Sequence, residues 1–98
     1  MANFTFSSPL IRGFTHQDYT ASTLETIFLP AATTPERRVI VIVQNKSTTA
    51  FIQVILSESG AVGILIPPLG NISLDNYNGA VAVVSNEESP IHIAYATV

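Results

Sequence analysis

Arg38-Val39-Ile40-Val41-Ile42-Val43-Gln44 decides the fold of this chain. Side chains of a β-strand alternate between its two faces, so a strand with one wet face alternates apolar and polar residues. Here Val39, Val41 and Val43 share one face, and Ile40 and Ile42 share the other. Both faces are apolar and both ask for cover. Ninety-eight residues make one domain with a single small core. Little of the chain is left to cover the second face, so the mismatch points to burial against another copy or another protein.

The pattern recurs outward from this run. From about Leu24 onward, short apolar stretches separated by turn residues return every eight to twelve residues, the spacing of a sandwich or barrel. Strands are expected at 24–29, 38–44, 50–57, 63–66, 71–75, 80–85 and 91–97. Parity puts Ile52, Val54 and Leu56 opposite Phe51, Gln53 and Ile55, and Ile91, Ile93 and Tyr95 opposite His92, Ala94 and Ala96. Three of the four other strands read this way have an apolar or small second face.

The connectors carry their own chemistry. Pro30 and Pro35 bracket a loop, because proline has no N–H for a ladder. Asn45-Lys46-Ser47-Thr48 and Ser57-Glu58-Ser59-Gly60 read as hairpin-type turns, and Asn78-Gly79 as a tight type I′ turn. Pro67-Pro68-Leu69-Gly70 forces a corner where the chain can pass between sheets. Val, Ile and Thr, branched at Cβ, disfavour helix throughout; Gln17 to Thr26 could form at most a short helical turn. Residues 1–22 lack sustained alternation and read as an N-terminal arm or peripheral strand, with the sandwich domain spanning 23–98.

Composition narrows the function classes. The apolar fraction of 47% is that of a folded domain, but only 11% of residues are charged, against roughly 25% in ordinary soluble domains. Ser, Thr, Asn and Gln fill the polar quota, and they cost less to dehydrate than ions. Such a surface suits extensive contact. Net charge is −3 and the four cations form no cluster beyond Arg37-Arg38, which argues against nucleic acid. Absence of cysteine excludes disulfides and thiolate metal sites. The start Met1-Ala2-Asn3-Phe4-Thr5 lacks a signal-peptide pattern, and the longest aliphatic run, Val39 to Val43, is far below the roughly 20 residues of a membrane helix. Neither a membrane nor a small-molecule substrate is expected. Three Asn-x-Ser/Thr triplets, at Asn3, Asn45 and Asn71, read as turn composition rather than glycan acceptors.

No catalytic or cofactor constellation emerges. His16, Asp18 and His92 supply parts of a triad, but His16 and Asp18 fall in a loop-like region and no Gly-x-Ser-x-Gly elbow is present. Two histidines without cysteine make a poor metal set, and Glu87-Glu88 read as a solvated loop pair. Tyr19, Tyr77 and Tyr95 are scattered and there is no Trp, a weak basis for stacking sugars. The N-terminal segment is more suggestive. Phe4, Phe6, Leu10, Ile11 and Phe14 are large and apolar outside any clear strand. Phe4, Phe6, Ile11 and Phe14 are therefore the expected partner anchors, with Arg37 and Arg38 as polar contacts.

Residues 38–97 resemble small structural proteins of tailed bacteriophages. The resemblance rests on the aliphatic strand ending in Gln44-Asn45-Lys46-Ser47, then Ile64-Leu65-Ile66-Pro67-Pro68-Leu69-Gly70. Ser73, Leu74, Asn76 and Tyr77 follow, then Gly79, an apolar strand closed by Ser85, and the closing Ile91-His92-Ile93-Ala94-Tyr95. Residues 1–24 lie outside it. It implies an all-β antiparallel sandwich of seven to eight strands, jelly-roll-like with an N-terminal arm, and no catalytic residues. It further implies a non-enzymatic decoration (cement) protein on the capsid surface of the virion, made in the host cytoplasm. The expected partners are other copies of the chain, as a trimer, and the major capsid protein. A tail or head-fibre module binding another virion protein or a host glycan is the alternative.

Overall fold

The computed structural model describes residues 13–33, 35–56 and 63–98. Eight antiparallel strands form two four-stranded sheets: β1 (Gly13–Ala21), β2 (Thr26–Leu29), β3 (Arg38–Asn45), β4 (Ile52–Leu56), β5 (Gly63–Ile66), β6 (Asn71–Asp75), β7 (Val81–Ser85) and β8 (Ser89–Thr97). One sheet has the order β1-β8-β3-β6 and the other β2-β7-β4-β5. All seven strands expected from parity are present, with ends moved by a few residues. Every connection except β4 to β5 crosses from one sheet to the other. The chain is thus one long hairpin, its limbs paired β1 to β8, β2 to β7, β3 to β6 and β4 to β5, and rolled into two layers.

Between the layers lies the core. Val41 and Val43 of β3, Ile52 and Val54 of β4, Val81 and Val83 of β7 and Ile91 of β8 are all fully buried. The face shared by Ile40 and Ile42 is only half-buried, so the two faces of the opening stretch have different fates. At the head of β3 the register with β8 shifts between Arg38 and Ile40.

Three local expectations are corrected. Gln17 to Ala21 is strand and not a helical turn. Residues 1–12 lie outside the described residues. Residues 13–21 form an edge strand, in keeping with the peripheral-strand reading of 1–22, and pair with β8 along nine residues, from Gly13 opposite Thr97 to Ala21 opposite Ser89. They lie at the edge of β8 rather than over Ile40 and Ile42. Asn45-Lys46-Ser47-Thr48 begins a crossing between sheets, not a hairpin, because β3 and β4 belong to different layers. In the link from β6 to β7 the positive φ falls on Asn76, at 55°, and Asn78 uses its Oδ1 to accept from the Arg38 amide. The Pro67–Gly70 corner does carry the chain between sheets. Leu69 turns it with a φ of 64°, and the Gly70 amide donates to the Pro67 carbonyl at 3.0 Å. The expected turn at Ser57–Gly60 lies outside the described residues.

Polar clamps close both ends of β3. At its tail Asn45 is fully buried: its Nδ2 donates to the carbonyls of Ala50 (2.8 Å), Pro67 (3.0 Å) and Ile66 (3.3 Å). Its Oδ1 accepts from the Ser47 amide and the Ser89 hydroxyl. One side chain thereby ties the β3–β4 crossing, the β5–β6 corner and the start of β8, and its burial withdraws the Asn45 triplet from any glycan. At the head, Arg38 is 3% exposed and its guanidinium donates to the carbonyls of Gly79 and Pro30 while lying over the Tyr95 ring, 5.1 Å from its centre.

Candidate interaction surfaces

Two outward sheet faces remain once the core is filled, and they differ. On the β2-β7-β4-β5 sheet, cross-strand register aligns Ile27, Ala82 and Ile55 in one row and Val84, Gln53 and Leu65 in the next. Phe51 adjoins the second row just before β4. Ile27 is 62% exposed, Leu65 65% and Phe51 43%. Phe51, Gln53, Leu65, Val84 and Asn86 line a depression of about 250 Å³, and Glu25, Ile27, Ile55, Ala80 and Ala82 one of about 120 Å³. Glu25 is the sole charged residue lining either. Scattered apolar side chains are ordinary on a surface, but a contiguous apolar face marks a contact site.

The outer face of the β1-β8-β3-β6 sheet is apolar at one end apart from Asp75 on the edge strand, and polar and charged at the other. Its first row is Phe14, Ala96, Ile40 and Asp75, and its second His16, Ala94, Ile42 and Ser73. Asp18, His92, Gln44 and Asn71 make the third. Ala94 and Ala96 are nearly buried between larger neighbours on β1 and β3. His16 and His92 sit diagonally across β1 and β8 with ring centres 5.2 Å apart. The His92 Nδ1 contacts the Asp18 Oδ1 at 2.6 Å, and the Lys46 ammonium reaches the same oxygen at 3.1 Å.

The His92 ring and then the Lys46 ammonium hold the Asp18 carboxyl below the usual carboxylate range. A depressed carboxylate pKa adds stability that is present above the unfolded-state value and lost as pH falls through the folded one. Asp18→Asn is therefore expected to lower stability slightly at pH 7 and to lose that difference as pH falls below the carboxylate range. Urea denaturation of both proteins across pH checks this. A difference that persisted at pH 2 would contradict it.

The sequence-derived site residues separate. Phe14 is 63% exposed, beside His16, and Arg37 is exposed. Arg38 is corrected: its guanidinium is consumed inside the chain and is not a partner contact. Phe4, Phe6 and Ile11 lie outside the described residues. His16 and Asp18, expected in a loop, stand on one face of β1. Among the described residues no hydroxyl is hydrogen-bonded to either histidine, and no three His, Asp or Glu side chains group to hold a metal ion. Of the carboxylates 87 and 88, Glu87 accepts from the Thr49 hydroxyl at 2.8 Å. Tyr19 stacks on Phe28, Tyr77 donates to the Ala80 carbonyl and Tyr95 lies under Arg38, so none of the three offers a free sugar platform.

Sequence reasoning did not select Ile27, Phe51 and Leu65. Their signal was present in parity: Phe51 and Leu65 stand opposite the core residues Ile52 and Ile66. No protein-family model matches the sequence, and no curated protein matches it.

Proposed function

We propose that this chain is a non-enzymatic structural module of a tailed-phage virion that docks on the capsid and stabilises it. The observation that supports this reading is the largely apolar outer face of the β2-β7-β4-β5 sheet, where Ile27 and Leu65 stand exposed in register with Ala82, Ile55 and Val84, Phe51 adjoins them, and Glu25 is the one charged residue lining its depressions. Burying such a face against a capsid subunit releases water at about 25 cal/mol per Å² of apolar area. Repeated over many copies, that burial resists disruption of the shell. The rolled pairing of β1 to β8 through β4 to β5 supports reading the sandwich as a jelly roll, two Greek keys in eight strands.

The test is co-sedimentation with expanded, undecorated tailed-phage capsids. Wild-type protein should pellet with the shells, and the double variant Phe51→Asp, Leu65→Asp should stay in the supernatant while keeping its thermal transition. Two charges in the centre of the patch would lower affinity at least about a hundredfold, since each truncated central contact is worth about 2 kcal/mol. Wild-type protein that remains in the supernatant would sink the proposal.

A further inference from the structure

The edge strand β1 has no described neighbour on its outer side, since the sheet order places it outermost. Long regular edges invite pairing, and proteins blunt them with proline, lysine, bulges or short length. The other edges follow that rule: β2 carries a register shift, and β5 and β6 have four and five residues. β1 does not. It runs nine residues, Gly-Phe-Thr-His-Gln-Asp-Tyr-Thr-Ala, without proline, lysine or any register shift against β8.

We infer that β1 pairs antiparallel with β1 of a second copy of this chain, about a two-fold axis at Gln17, joining two sheets into one of eight strands. Two independent features select that register. A two-fold axis normal to the sheet keeps both outer faces on one side and allows only registers centred on a residue. Gln17 is the midpoint of Gly13–Ala21, so centring there pairs every residue of the strand. The same register sets His16 opposite Asp18 of the second copy, twice by symmetry, with Phe14 opposite Thr20 and Thr15 opposite Tyr19. A donor facing an acceptor carboxylate and aromatic–β-branched pairs stabilise facing strands. Centring on Asp18 instead would oppose two carboxylates, and centring on His16 would set Asp18 against Phe14. Within its own chain Asp18 uses only Oδ1 for His92 and Lys46, while its side chain is 65% exposed. Oδ2 is free, among the described residues, to accept from the second copy's histidine.

The interface is two-fold, unlike the trimer expected from the resemblance, and it stands whether or not the chain docks on a capsid. Because the chain has no cysteine, one introduced thiol reports only on itself. Cα atoms of facing residues lie about 4.5–5.5 Å apart in an antiparallel pair, within the span a disulfide bridges. Gln17→Cys should therefore oxidise to a covalent dimer at least about tenfold faster than Ser73→Cys, an exposed position on the opposite edge strand β6, because pairing raises the effective thiol concentration. Sedimentation velocity of the unmodified chain should show a reversible dimer. His16→Asp, which opposes two carboxylates twice, should raise its dissociation constant about tenfold without moving the thermal transition of the dilute monomer. Equal oxidation rates for the two cysteine variants, or a chain that sediments as a monomer or trimer at 100-micromolar order, would overturn the inference.

Discussion

Asn45→Asp is expected to lower the unfolding free energy by about 4–5 kcal/mol at pH 7, a large share of the 5–15 kcal/mol typical of a domain. The substitution hardly alters volume, so the loss is purely one of hydrogen bonding and charge. In the native chain the Nδ2 group faces the carbonyls of Ala50, Ile66 and Pro67 at 2.8–3.3 Å. An aspartate sets a second oxygen against those three oxygens, at a position with no exposure. Each buried group left unpaired costs about 1–3 kcal/mol, and an ionised one costs more. Protonation restores one donor. The loss should therefore shrink as pH falls toward 4, since burial raises the introduced carboxyl's pKa and the folded state then holds the extra proton. Urea denaturation at pH 7 and pH 4 measures both effects. A loss below 1 kcal/mol at pH 7 would show that the clamp does not hold the two layers at this end.

Arg38 should give the second largest effect, with a revealing order among its variants. Its guanidinium bonds two carbonyls and lies over Tyr95, while its Nε is buried with no hydrogen-bond partner among the described residues. Bonds from a charged group are worth about 1.5–3 kcal/mol each, and a desolvated cation–π contact about 2. Against this stands a burial cost of several kcal/mol for the cation. The favourable terms win by a modest margin, so Arg38→Met should destabilise by about 2–3 kcal/mol. Arg38→Lys should be worse, at about 3–4 kcal/mol, because an ammonium keeps the burial cost and lacks the fork that spans both carbonyls. Thermal and urea unfolding of the two variants decide it. Should lysine be the milder replacement, the planar geometry of the guanidinium is not what the site uses.

These two residues also mark where sequence reasoning stopped. Parity found seven strands because both faces of a covered strand leave an apolar trace, as in Val39 to Val43. It missed β1 because Thr15, His16, Gln17 and Asp18 are polar on both faces: at a sheet edge, neither parity is forced into the core. Asn45 and Arg38 were read as a turn residue and a partner contact. Their partners are backbone carbonyls as much as 41 residues away, and a carbonyl has no signature in sequence. The apolar face around Phe51 and Leu65 was legible strand by strand, but its continuity required the register of β4 with β5 and β7.

The rolled hairpin also imposes an order in time. Among the described strands, only β4 and β5 are consecutive in the chain and neighbours in one layer. Each further rung encloses a longer loop, up to Gly13 opposite Thr97, and closing longer loops costs more entropy and slows folding. During synthesis β1 leaves the ribosome first, yet its partner does not exist until Ser89–Thr97 has been made. The first sheet therefore closes only after the six described strands between β1 and β8 have been made, and until then both edges of β1 stand open to a second chain.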